Sequence, residues 1–218
     1  MACRLLPPTL NSGIPVSADG SKRMKTSGER GFSMIEMLVV VAILMILSAM
    51  AIFITRQTIP NFQANTAMNS VYSTLRLARQ TAISQHRFVS VAFTGTNQMV
   101  LTRVDAKFGN TVLGTYTWEG GAQYMPSPGA DTPMAFGTCG GAAAICFGGI
   151  AGGPGLLEFS PTGEFIDGTA LSLNPNTDVS GTVFLGMPGK SFAARAVTVL
   201  GATGRVRQYY WTGSGWRE

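Results

Sequence analysis

The sequence predicts an α+β protein in which one long N-terminal helix precedes an antiparallel β-sheet. Residues 37–54 form an 18-residue run without a charged side chain, and residues 61–85 carry apolar side chains at helical spacing. Beyond residue 87 the apolar residues alternate with a period of two, which is typical of strands. A helix followed by about seven short strands belongs to the α+β class.

The uncharged run predicts a membrane-spanning helix. As a helix it would be about 27 Å long, close to the thickness of about 30 Å of a bilayer's hydrocarbon core. The run is apolar on all sides, whereas the core helix of a small domain is amphipathic. We therefore expect residues 32–59 to form a transmembrane helix that continues to about Gln85 as one long helix. The first proline after its start is Pro60, so any kink or melted turn would lie beyond the apolar run.

The second half of this helix is expected to pack on the sheet, because its apolar residues recur at intervals of three and four: Ala64, Met68, Val71, Leu75, Ala78 and Ala82. Hairpin and turn signals then separate short strands as far as a last strand at Arg205–Trp211. We assign residues 60–218 to one globular domain that contains a glycine-rich loop at residues 127–155.

The charges that flank the apolar run predict its orientation. Lys22, Arg23, Lys25 and Arg30 precede it, whereas only Arg56 follows it closely. Under the positive-inside rule the N-terminus stays in the cytoplasm and the C-terminal domain is exported. A cleaved secretory signal is the competing interpretation, but its apolar region would be about 7–15 residues long and end at small residues. This run is longer and no clear A-x-A site follows it.

The composition argues against an enzyme. The chain has one histidine, His86, which disfavours a histidine metal site and a Ser-His-Asp triad. Gly189-Lys190-Ser191 is similar to the end of a phosphate-binding loop, but Phe184 occupies the position of the upstream glycine. We expect no catalytic residues, no metal, no cofactor and no small-molecule substrate.

The segment before and within the apolar run reads Gly31-Phe32-Ser33-Met34-Ile35-Glu36-Met37-Leu38-Val39-Val40. It resembles the class III signal of type IV pilins and type II secretion pseudopilins. The resemblance implies cleavage between Gly31 and Phe32 by a prepilin peptidase and N-methylation of Phe32. The cleaved leader would be residues 1–31. Met24 begins an eight-residue leader of typical pilin form, so we expect the true start at Met24.

Glu36 would be the fifth residue of the mature chain. A carboxylate at the head of an apolar helix is costly unless it stays at the interface or meets a cation. In a filament, the α-amine of Phe32 of one subunit can meet Glu36 of a neighbour, which neutralises the carboxylate and fixes the axial register. The implied partners are other pilin or pseudopilin subunits and the inner membrane, where the chain resides before assembly.

The turn Gly204-Arg205-Val206-Arg207 opens the last strand. Strand alternation places Arg205, Arg207, Tyr209 and Trp211 on one face. Guanidinium groups suit phosphate oxygens, and exposed rings can stack on bases. The same pattern also fits an ordinary solvated strand face, and chemistry alone favours that interpretation.

Two stretches resemble the GspH/FimT branch of minor pilins: Leu75–Ile83, which reads LRLARQTAI, and the GRVR turn. In FimT-type members a Gly-Arg-x-Arg motif binds DNA during natural transformation. The resemblance implies that Arg205 and Arg207 contact DNA, and Arg195 is a candidate third contact. The alternative is a purely structural, GspH-like pseudopilin of a type II secretion system.

The glycine-rich loop is expected to be a mobile surface loop. It contains Cys139 and Cys146, and Cys3 would leave with the leader. An even pair in an exported domain predicts a disulfide, with two free thiols as the alternative.

Overall fold

We describe a computed structural model of residues 31–218, except for positions 106, 108, 130–132, 134–138, 140–142, 154 and 170–177. The chain divides into two units, one ending at Ile46 and the other comprising Leu47–Glu218. The predicted leader, apart from Gly31, and the predicted start at Met24 lie outside the described residues.

A single helix, α1, runs from Met34 to Gln85 and includes Pro60. It is the one helix in the described ranges that is long and apolar enough to cross a membrane, with a mean hydropathy of 3.1 over its most apolar 18 residues. None of those residues is buried within the chain. The predicted long helix is confirmed, and both of its ends lie within two residues of the expected positions.

In the larger unit the helix buries the predicted apolar stripe. Its six members have no exposed surface: Ala64, Met68, Val71, Leu75, Ala78 and Ala82. The five from Met68 to Ala82 pack into one core with side chains from two β-sheets. The stripe could be read from spacing alone because one helix face repeats every three to four residues.

The strands that follow form two antiparallel sheets. The first has the order β3-β2-β1-β7-β8. Its strands are β1 (Phe88–Thr94), β2 (Gln98–Val104), β3 (Thr111–Thr117), β7 (Leu157–Phe159) and β8 (Phe165–Asp167). The second has the order β12-β11-β10-β9-β5-β6, with β4 also paired to β9. Its strands are β4 (Gln123–Tyr124), β5 (Ile145–Phe147), β6 (Ile150–Ala151), β9 (Gly181–Met187), β10 (Lys190–Leu200), β11 (Arg205–Trp211) and β12 (Trp216–Arg217). The predicted α+β class is confirmed.

Part of the glycine-rich region is ordered, contrary to the expectation of a mobile loop throughout. Ile145–Phe147 forms β5 and pairs with β9. Phe147 is fully buried and packs against Phe93 and Phe165, with ring centroids 5.9 and 5.3 Å away. Burial of this ring holds the short strand in place despite the surrounding glycines. Much of the remainder of the loop lies outside the described residues.

Cys139 and Cys146 form a disulfide, with their Cα atoms 5.9 Å apart. Cys146 lies in β5, opposite Thr182 of β9. The bond therefore ties the glycine-rich region to a strand in the middle of the second sheet. Closing a loop of this size stabilises the folded state by about 2 kcal/mol in the chain-entropy view.

Glu158 is an unusual buried carboxyl group. It lies in β7 between Ser90 of β1 and Ile166 of β8, and its side chain is 3% exposed. Its Oε1 atom has no hydrogen-bond partner among the described residues. Burial raises the pKa of Glu158 above its ordinary value, because the charged form loses its hydration.

We expect Glu158→Gln to stabilise the fold at neutral pH by about 1 kcal/mol, because the substitution removes a buried charge. Since the folded-state pKa is raised, protonation favours folding. The stability cost in the parent therefore develops as the pH rises from about 4.5 through the folded-state pKa. The denaturant midpoints of the parent and of Glu158→Gln, each at neutral pH and near pH 4, would measure this difference in stability. A variant less stable than the parent at neutral pH would show that the carboxylate is favourably bound.

Candidate functional site

The side chains of the N-terminal segment that are expected to react or to pair with a neighbouring subunit are exposed. Phe32 is 73% exposed, and Glu36 is an exposed residue in the first turn of α1. The helix begins with the hydrogen bond from the Met37 backbone N–H to the Ser33 carbonyl. A carboxylate near a helix N-terminus is favoured by the helix dipole. Glu36 is thus positioned where a cation from outside the chain can reach it.

A second, polar stripe runs along α1 beside the apolar one, formed by Asn61, Asn65, Asn69, Tyr72, Arg76 and Arg79. Its first three residues fasten the helix to the second sheet. The side chains of Asn61 and Asn65 accept hydrogen bonds from Arg195, and Asn69 accepts one from Gln208 at 2.8 Å. The spacing of four residues brings each asparagine to the same side of the helix.

Arg195 makes structural contacts that occupy its side chain, and its predicted contact with DNA stays a prediction. It lies inside β10 and is 5% exposed. Its Nε donates to Asn65 Oδ1 at 2.6 Å and its Nη2 to Asn61 Oδ1 at 3.0 Å. The guanidinium also lies 5.3 Å from the ring centroid of Tyr210. The hydrogen bonds to Asn61 and Asn65 hold the helix against the sheet, and burial lowers the pKa of Arg195.

Gly204 sets the direction in which the last strand begins. It closes the short 3-10 turn Gly201–Thr203 and has a φ of +60°, which favours glycine. A β-carbon at this position would collide with the carbonyl oxygen of Gly163. That same oxygen accepts a hydrogen bond from Arg79 Nε at 3.1 Å. Gly204 therefore brings the start of β11 close to Arg79 on the helix.

Arg205 is exposed and has no carboxylate partner among the described residues. Arg207 is 29% exposed, and its Nη1 lies 2.8 Å from Glu218 Oε2. Hydrogen bonding to Tyr209 and the charge of Glu218 both raise the pKa of Arg207, which therefore stays cationic. The two arginines of the motif thus differ, because Arg207 is paired with Glu218 whereas Arg205 has no carboxylate partner among the described residues.

The aromatic residues beside the motif are less exposed than the alternation pattern indicated. Tyr209 is buried and packs with Phe184, Ala196 and Trp216. The rings of Trp211 and Trp216 contact each other, with centroids 5.2 Å apart. The sequence placed these side chains on one face correctly, but β12 covers part of that face. They serve mainly as a small second core.

The helix and the start of β11 together enclose a surface that we name the arginine trough. It consists of two adjoining grooves of about 530 and 360 Å³ that share Tyr72, Arg205 and Val206. Arg76 and Arg79 line the first groove, and Arg207, Tyr210 and Glu218 line the second. Sequence analysis missed the helix arginines. The continuation of the asparagine stripe at 72, 76 and 79 was the signal that could have found them.

Comparison with known proteins identifies the N-terminal segment. Residues 26–52 match a family model described as the prokaryotic N-terminal methylation motif. The chain therefore carries a prokaryotic N-terminal methylation motif. This match covers the start of the chain, including Gly31, Phe32 and Glu36, and extends through most of the apolar run. Among curated protein sequences none is significantly similar to the chain.

Two kinds of solved structure are similar in outline. One is the minor pseudopilin EpsH from the type 2 secretion system of Vibrio cholerae, at 16% identity and a TM-score of 0.42, covering 68% of this chain and 97% of that one. The other is the type IV minor pilin FimU of Pseudomonas aeruginosa, at 16% identity and a TM-score of 0.40, covering 66% of this chain and 90% of that one. Likeness at this level carries no conclusion about what the chain binds.

Proposed function

We propose that the chain is a minor subunit of a type IV pilus-like filament or of a type II secretion pseudopilus. The observation that carries this proposal is the methylation motif at the head of an apolar helix that continues into a folded domain. In the described part of the first unit, residues 31–46, the large apolar side chains are all exposed. A membrane, and later the helices of neighbouring subunits, would cover that surface.

The proposed path begins in the inner membrane. The basic residues before the apolar run keep the N-terminus in the cytoplasm, and residues 60–218 are periplasmic. A prepilin peptidase cuts between Gly31 and Phe32 and methylates Phe32. The mature chain then leaves the bilayer for the filament, and Glu36 meets the Phe32 amine of a neighbouring subunit.

Within this class we propose that the chain binds DNA non-specifically through Arg205 and Arg207, as a minor pilin used in DNA uptake. The support is the exposed guanidinium of Arg205, which has no carboxylate partner among the described residues and lies on a turn that Gly204 fixes. The alternative is a purely structural pseudopilin. The ion pair between Arg207 and Glu218 supports this alternative, because it cancels half of the charge of the motif.

The filament fraction sheared from cells tests the general proposal. An epitope-tagged chain should be found in that fraction together with the other subunits of the filament or pseudopilus. The identity of those subunits separates a pilus from a secretion pseudopilus. A chain that is present in the membrane but never in the sheared fraction would contradict the proposal.

A further inference from the structure

We propose that the DNA backbone runs along the whole arginine trough, so that Arg76 and Arg79 of the helix bind phosphates together with Arg205 and Arg207. This inference rests on the proposed DNA binding and extends it from a two-residue motif to a surface shared by two structural elements. The groups bound would be the phosphates of the DNA backbone, so binding would not depend on the base sequence.

The charges of the trough support a polyanion. Four guanidinium groups line it, and Glu218 is the one carboxylate among the lining residues. Arg76, Arg79 and Arg205 have no carboxylate partner within the part of the chain that the structure describes. A cleft lined by one sign of charge focuses its field and raises the local concentration of the opposite ion.

The hydrogen bonds of the helix arginines leave donors for a ligand. Arg76 is exposed, and its Nη1 donates to the hydroxyl of Tyr72 at 3.2 Å. Its guanidinium lies 5.4 Å from the centroid of that ring, which holds the side chain beside the trough. Arg79 donates from Nε to the Gly163 carbonyl, and its side chain lines the first groove. A guanidinium with free N–H groups suits phosphate oxygens.

The two grooves of the trough would offer different contacts to the DNA backbone. Arg76, Arg79 and Arg205 surround the groove of about 530 Å³, and Arg205 and Arg207 border the adjoining one. Tyr210 is 40% exposed and lines the second groove. A backbone that enters between the helix and Gly204 therefore meets cationic groups continuously until Glu218.

The salt dependence of DNA binding tests this inference. Full-length protein in detergent would be titrated with a short fluorescent DNA duplex over a range of salt concentrations. Four phosphate contacts predict a slope of about −3.6 in a plot of log K against log salt, whereas two predict about −1.8. Arg76→Gln should weaken binding about eightfold near 0.1 M salt and reduce the slope by about one unit.

Two further variants serve as controls. Lys190→Gln removes one positive charge at the opposite end of β10 and should leave the slope unchanged. Arg76→Lys keeps the charge and should restore the slope. Thermal unfolding should be nearly the same for all variants, because exposed charges contribute little to stability.

The outcomes separate the two proposals. If Arg205→Gln weakens binding while Arg76→Gln behaves like Lys190→Gln, the trough is overturned and the motif alone binds DNA. If the parent does not bind DNA, both proposals fail. A loss of slope in Arg76→Gln that Arg76→Lys restores supports the trough.

Discussion

Replacing Glu36 by valine should leave the chain in the membrane and remove it from the filament fraction. The substitution only adds apolarity to the span, so insertion is retained. Assembly should fail because the Phe32 amine of the neighbouring subunit then lacks its carboxylate partner, and an unpaired charge inside a packed helical bundle is strongly unfavourable. We expect incorporation to fall at least tenfold, because losing one partner of a buried pair costs about 3–5 kcal/mol.

Immunodetection of the tagged chain in the membrane and sheared fractions measures both effects together. Met37→Val is a matched control, because it changes an exposed apolar residue in the same turn without altering charge. Incorporation of the Glu36 variant at the parental level would show that the carboxylate is merely an interfacial group.

The double substitution Arg205→Gln, Arg207→Gln should strongly weaken DNA binding by the full-length protein. Parental binding is expected in the non-specific range of roughly 10⁻⁴ to 10⁻⁶ M. Loss of two phosphate contacts near 0.1 M salt weakens it by about fiftyfold, to the same extent for every DNA sequence. The salt slope should fall by about two units.

Glu218→Gln is the control with the opposite expected sign. Glu218 neutralises Arg207 at 2.8 Å, so removing its charge should strengthen binding. A double arginine variant that unfolds at the parental temperature and binds DNA as the parent does would remove the DNA-uptake proposal. The structural pseudopilin would then remain.

The long helix could be predicted because its signals are local. The eighteen uncharged residues are continuous in the sequence, and the stripe from Ala64 to Ala82 recurs at every helical turn. Both can therefore be recognised without tertiary information. The strand boundaries at Thr94 and Arg205 were also accessible, since a glycine-containing turn follows the first strand at Gly95 and another precedes the last long strand at Gly204.

The trough could not be predicted because it depends on contacts between residues distant in sequence. Asn61 and Arg195 are 134 positions apart, and Asn69 and Gln208 are 139 apart. The alternation pattern predicted which side chains of β11 share a face. It could not indicate that β12 would cover Tyr209, or that Arg195 would form hydrogen bonds with the helix. Similarly, the burial of Phe147 depends on rings from two other strands.

The intact mass of the protein purified from its native membrane tests the central claim most directly. The account predicts a chain that begins at Phe32 and carries one added methyl group on its α-amine. In Gly31→Ala the uncleaved precursor should accumulate, because the peptidase reads that glycine. A mature mass that corresponds to cleavage elsewhere, or a Gly31→Ala chain of normal mature mass, would contradict the account.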